Sequence, residues 1–115
     1  MKQYTRTHEW VELRGGKAYV GITAHAAEEL GEIVYVELPE IGAPAAAGEA
    51  CCELESVKAV AEVNSPADGT VAEVNGELAD APEKAGEDGV WLFAVGDPVL
   101  ADGLMSESEY EAFLR

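Results

Sequence analysis

At 115 residues with 48% hydrophobic residues, the chain is long enough to bury a core without disulfide or metal staples. Its 23 acidic against 7 basic side chains give a net charge of −16. That charge repels phosphate backbones and anionic lipid, so it argues against nucleic acid and membrane partners, and it steers basic protein faces toward the surface. No apolar run reaches spanning length, and the opening "MKQYTRTHEW" lacks a signal-peptide core. A soluble cytoplasmic protein with a single domain over residues 1–115 is the expectation.

The segments "WVELRG" and "KAYVGIT" read as two strands about a turn at Arg14-Gly15-Gly16-Lys17. In "TAHAAEELG", Thr23 is a candidate N-cap, Ala24, Ala27 and Leu30 fall at helical spacing, and Gly31 suits a left-handed exit. "EIVYVEL" is rich in β-branched and aromatic residues and stops at Pro39, so it reads as a strand. "PEIGAPAAAGE" reads as a loop.

From Glu49 the pattern is a β-hairpin. Cys52 and Leu54 alternate with Glu53 and Glu55; beyond Lys58, the residues Ala59, Ala61 and Val63 alternate with Val60 and Glu62. One face is destined for a core and the other, bearing carboxylates, for water. Val57 and Lys58 fall at the tip. Pro66 and Asp68-Gly69 then read as a turn, "TVAEV" as a strand, Asn75-Gly76 as another turn, and "VWLFAV" as a last strand buried on both faces. At the C-terminus, Ser106 and Glu109 form a capping box, with Met105 and Tyr110 at the staple positions. Tyr110, Phe113 and Leu114 make an apolar stripe for this helix. Short strands, frequent turns and two small helices indicate a mostly β fold, a sandwich or flattened barrel.

Few residues carry a chemical signal. Cys51 and Cys52 are neighbours in a strand and read as small hydrophobes, not as a redox pair. His8 and His25 lack metal-ligand spacing and read as structural or capping residues. Trp10 and Trp91 read as core anchors, and the glycines form no phosphate-binding motif. No nucleophile stands with a base, so the chain reads as a carrier and not an enzyme. The exception is Lys58, one of few cations, displayed at the apex of an acidic hairpin.

In sequence the chain resembles the glycine cleavage H-protein family over nearly its whole length. The likeness lies in "THEW" at 7–10, "VGITAHAAEELGEIVYVELPEIGA" at 20–43, "ESVKA" at 55–59, "SPADGTVAEVNGELADAPE" at 65–83 and the terminal "YEAFL". The resemblance implies a lipoyl carrier of barrel-sandwich hybrid fold, with lipoate joined to Lys58 through an amide. It implies a shuttle that takes the aminomethyl group of glycine from the pyridoxal-phosphate glycine decarboxylase to the folate-dependent aminomethyltransferase. Dihydrolipoamide dehydrogenase would then reoxidise the carrier, and a lipoate ligase or transferase would load it. It also implies a sheltering cleft on the carrier, with acids at Glu9 and at Glu62, a position where the family more often has Asp. A monomer is the default for such a shuttle, and no metal is implied.

The chain departs from the family at "PEKAGEDGVWLFAV", which is about three residues shorter than the usual segment and lacks its Asn and Tyr, and at Ala94, where Lys is common. The altered 83–91 stretch reads as an exposed loop. It leaves a second role open, a lipoyl relay serving another lipoate-dependent pathway, such as transfer to 2-oxoacid dehydrogenases or sulfur or ADP-ribosylation-linked chemistry. A biotin carrier would bracket its lysine with methionines, whereas Val57 and Ala59 stand here. A 2-oxoacid dehydrogenase lipoyl domain would carry Asp, not Val57, before the lysine.

Overall fold

The computed structural model describes residues 1–115. Nine strands form two sheets. The larger has six strands: β1 (Gln3–Tyr4), β2 (Glu9–Arg14), β3 (Lys17–Ile22), β5 (Pro44–Ala45), β8 (Ala67–Val74) and β9 (Phe93–Leu100), in the order β1-β2-β3-β9-β8-β5. The smaller has β4 (Ile33–Glu37), β6 (Ala50–Ser56) and β7 (Val60–Asn64), in the order β4-β6-β7. All strand pairs are antiparallel. The expected mostly β, flattened barrel-sandwich architecture is what the chain adopts.

The two sheets close on one apolar core. Alternation puts Val11, Ala18, Val20, Phe93 and Val95 of the larger sheet into a cluster with Val36, Cys52, Leu54 and Val63 of the smaller. Residues 92 to 95 are fully buried, as their unbroken apolar run predicts, although the strand itself begins at Phe93 and runs on to Leu100. Burial pushes the Cys52 thiol up to about 12 and raises that of Cys51. Both are free cysteines, in keeping with their reading as filler.

Three expectations need correction. Asp68-Gly69 is not a turn but part of β8, where the register against β9 shifts. A Cβ on Gly69 would meet the Gly96 carbonyl oxygen and Val95 Cγ1 at 2.5 Å, so this glycine serves a close backbone approach at a bulge. The 83–91 stretch is not a free loop. A short helix α2 (Glu77–Asp80) and a 3-10 turn over Pro82–Gly86 bury Leu78 and Ala85, and a Cβ on Gly86 would touch Ile33 and Ala27. Trp91 lies outside β9 and is only half-buried, edge-on to Tyr19 at 5.1 Å; Trp10 is buried, but on the face of β2 opposite Val11 and the core cluster, with Lys2 Nζ over its ring.

Helix α1 (Ala24–Leu30) is capped as its sequence predicts. Thr23 Oγ1 accepts from the Ala26 amide, and Gly31 leaves at φ 76° with its amide bonded to the Ala27 carbonyl. Helix α3 (Glu107–Phe113) has the full Ser106/Glu109 capping box. Its apolar stripe is seated only in part, since Tyr110 is buried while Phe113 and Leu114 stay exposed.

Candidate functional site

The β6–β7 hairpin carries Lys58 in a three-residue turn between Ser56 and Val60. Ser56 organises that turn. Its Oγ accepts from the amides of Lys58 (3.3 Å) and Ala59 (3.0 Å) and donates to the Ala59 carbonyl, while its own amide bonds the same carbonyl at 2.8 Å. The tip is also fastened to the body, because the Val57 amide donates to the Glu32 carbonyl at 3.0 Å. The backbone under the lysine is thus held on both sides. The side chain is not: Lys58 is exposed, and its amine takes part in none of the molecule's hydrogen bonds or ion pairs. Its Cε passes over Gly31, where an added Cβ would stand 3.7 Å away. Glycine at the helix exit serves the positive φ of 76°, while the lysine stem passes at ordinary contact distance.

Three residues beyond Lys58, about 10 Å along the strand, β7 borders a cleft of 190 Å³. Ile22, Leu30, Leu54 and Val63 give it an apolar floor, and His8, Glu9 and Glu29 bring polar groups to it. Glu9 opens β2 and is 1% exposed. Its carboxylate accepts from Thr5 Oγ1 (2.5 Å), Thr7 Oγ1 (2.6 Å) and the Asn64 amide (3.1 Å). The last bond ties the start of the larger sheet to the free edge of the smaller. Burial raises the Glu9 pKa and outweighs the hydrogen bonds, which act to lower it.

Glu62 borders the same cleft but belongs to the other side of β7. In the register it stands opposite Glu53, while Ala61 and Val63, its neighbours in the chain, face inward with Leu54 and Cys52. Its side chain is exposed, and a second, outward hollow of 310 Å³ is lined by Glu37, Glu53 and Glu62 together. The two acids thus meet one cleft from unlike positions, Glu9 at its base and Glu62 on a solvated edge.

Sequence reasoning passed over a cluster built behind His8, which lines the cleft. The rings of His8 and His25 lie against each other, tilted by 39° with centroids 4.5 Å apart, and His8 Nδ1 pairs with the Tyr110 hydroxyl at 2.7 Å. Tyr110 in turn pairs with Thr23 Oγ1 at 2.8 Å. Burial, then the neighbouring His25, pushes the His8 pKa down, so the neutral ring is favoured. His8 also sits at φ 73°, unusual for a residue other than glycine. No period or spacing signals this cluster, because its members are brought together from both ends of the chain. No group of three or more His, Cys, Asp or Glu side chains is arranged to hold a metal ion.

Comparison with known proteins agrees with this geometry. The family model described as "Glycine cleavage H-protein" matches residues 2–115. A glycine cleavage system H protein of Phenylobacterium zucineum (strain HLK1) is 47% identical, covering 97% of this chain and 97% of its own. A probable glycine cleavage system H protein of Pyrococcus abyssi (strain GE5 / Orsay) is 48% identical, covering 97% and 88%. A crystal structure of a glycine cleavage system H protein from Mycobacterium marinum superposes with a TM-score of 0.88 at 38% identity, covering 96% of this chain and 94% of that one. Matched in this way along both its sequence and its fold, the chain belongs to the glycine cleavage H-protein family.

Proposed function

We propose that Lys58 bears lipoate through an amide on its Nζ, and that this chain works as the lipoyl carrier of a glycine cleavage system. The observation that carries the assignment is an amine free of partners at the apex of a hairpin whose backbone is fixed by Ser56 and by the Glu32 carbonyl. A ligase needs such an accessible nitrogen, and a long stem on a fixed base leaves the attached group free to swing. When bound, lipoamide supplies the disulfide that takes up the aminomethyl group of glycine.

The protein is a carrier and not a catalyst: its residues position and shelter, and the enzymes of the system do the chemistry. Ile22, Leu30, Leu54 and Val63 offer the arm an apolar surface from which it would displace water on binding. Glu9 presents a buried carboxylate there, suited to a cationic amine. Glu62 adds negative charge from the rim.

The proposed partners are the glycine decarboxylase, the aminomethyltransferase, dihydrolipoamide dehydrogenase and a lipoate ligase or transferase, met in the cytoplasm by a monomeric carrier. No helix is long and apolar enough to cross a membrane. The named relatives are glycine cleavage system H proteins, and the relay alternative gains no support from them.

Intact mass decides the assignment. Incubation with lipoate, ATP and a lipoate ligase is expected to add one lipoyl group to the wild type and none to Lys58→Ala. Addition to the variant, or to neither, overturns it.

A further inference from the structure

Helix α3 is seated on the body by one buried side chain. Of its seven residues only Tyr110 is buried, and the other six are exposed. So short a helix does not hold together in water by itself, so its seat rests on that contact. Just ahead of it, the backbones of Met105 and Tyr4 bond in both directions at 2.8 Å, which makes a fixed pivot. The Tyr110 ring stacks on Tyr4 at 4.9 Å, and its hydroxyl reaches two other segments. Thr23 Oγ1, at the start of α1, lies 2.8 Å from it and His8 Nδ1 2.7 Å. Thr23 Oγ1 already accepts from the Ala26 amide. Every proton is used when the Thr23 hydroxyl donates to the Tyr110 oxygen and the Tyr110 hydroxyl donates to a bare His8 Nδ1. That order fits only a neutral His8 ring.

We infer that α3 is a proton-sensitive latch beside the cleft: Tyr110 keeps its seat while His8 is neutral and loses it when that ring takes a proton. A charged ring reverses the relay and strands the hydroxyl proton of Thr23, which is buried. It also sets a cation against His25, 4.5 Å away, and near Arg6, whose guanidinium lies over the same Phe113 ring that His8 adjoins. The acids nearby are engaged elsewhere. Glu29 pairs with His25 at 3.2 Å, and Glu9 is taken up by Thr5, Thr7 and the Asn64 amide. Glu62 shares the cleft with His8 but stands on its solvated edge. Lys2, Asp88, Glu107 and Glu111 border a hollow with His25 and Tyr110, not with His8. Burial first, and His25 second, hold the His8 pKa below its ordinary value. Docking of α3 is therefore strongest above that ordinary value and weakens as pH falls from it through the folded one. Because His8 lines the cleft, with its carbonyl bonded to the Thr23 amide, release frees the ring at the cleft's border while the backbone stays in place. The latch belongs to the unmodified chain and stands apart from the lipoyl reading.

The test follows amide exchange of Tyr110 and Leu114 in the full, unlipoylated chain at about pH 7.5 and about pH 5, corrected for the rates of an unfolded peptide. The wild type is expected to lose several-fold of this protection in acid, while core amides of β3 and β9 keep theirs. His8→Asn keeps a residue that tolerates the positive φ of 73° and removes the titrating ring. Its α3 is expected to show lower protection that no longer depends on pH. Linkage supplies a second measurement that leaves His8 unchanged. A proton that weakens docking is itself bound more tightly, by the same factor, once the helix is undocked. Ring chemical shifts are therefore expected to place the His8 midpoint higher in Tyr110→Ala than in the wild type. Equal protection of α3 at both pH values overturns the latch. So does a fall that persists in His8→Asn, or a His8 midpoint that Tyr110→Ala leaves in place. Because these chains carry no lipoate, failure here is distinct from failure of Lys58 to accept it, which intact mass reports.

Discussion

Glu9 holds a carboxylate where water scarcely reaches, and two opposing influences set its behaviour. Burial disfavours the charge, three donors favour it, and burial wins, so the pKa lies above the ordinary carboxylate value. A raised carboxyl pKa means that the folded state binds the proton more tightly than the unfolded chain does. The stability it contributes is complete below the unfolded value and is lost as pH rises through the folded one. Glu9→Gln removes that loss while keeping the bonds, since the amide oxygen can accept from Asn64 and the amide nitrogen can donate to Thr5 and Thr7 Oγ. Melting curves of the variant are expected to match wild type near about pH 4 and to exceed it increasingly toward about pH 7. Parallel profiles would mean that Glu9 titrates as an ordinary carboxyl. On a loaded carrier, the same variant is expected to release the aminomethyl group faster with lipoylation unchanged; an equal release rate would remove Glu9 from the arm's surroundings. Alternation alone reads Glu9 as a solvated strand residue, and only the family likeness singled it out. The reason is physical: the donors that make its burial tolerable come from a preceding turn and from residue 64, which no local pattern connects to residue 9.

At the scale of elements, the hairpin was the most legible part. Period-two alternation gave its two faces, and the lysine marked its apex. The part played by Ser56 was not legible, because a serine before a tip is compatible with many turns. Ser56→Ala removes an oxygen that serves two amides and one carbonyl. A loss of about 1–2 kcal/mol in urea unfolding is expected. A several-fold slower mass shift during lipoylation, reaching the same final mass, is expected with it. An unchanged rate would show that the ligase does not read the shape of the tip. The elements missed from sequence are β1, β5, α2 and the 3-10 turn, each five residues or fewer. Segments that short complete neither period, so nothing distinguishes them from loop until tertiary packing fixes them.

Across the whole molecule, 23 acids against 7 basic side chains set up long-range repulsion. Its extents are 36 × 33 × 21 Å, and most of its acids lack a cation. At about 20 mM salt the screening length is about 20 Å, so repulsion acts across much of the protein; at about 0.5 M it falls to about 4 Å. Calorimetry is therefore expected to show Tm rising by about 3–8 °C over that range. A falling Tm would mean that the few ion pairs outweigh the unpaired acids. The overall class was readable from the density of strands and turns, and the helix caps fell where Thr23, Gly31 and Ser106 placed them. The division of nine strands into two sheets was not readable, since it depends on pairings such as β3 with β9 that join distant parts of the chain.

The bond from the Val57 amide to the Glu32 carbonyl has a practical corollary. The acceptor lysine owes its placement to a segment that precedes the hairpin by some twenty residues and to a helix exit shaped by Gly31. A synthetic peptide copied from residues 53–63 would keep every side chain that identifies the target and lose the mooring that aims it. What a modifying enzyme grips here is a composite of separate stretches, so the folded domain is the smallest useful tag.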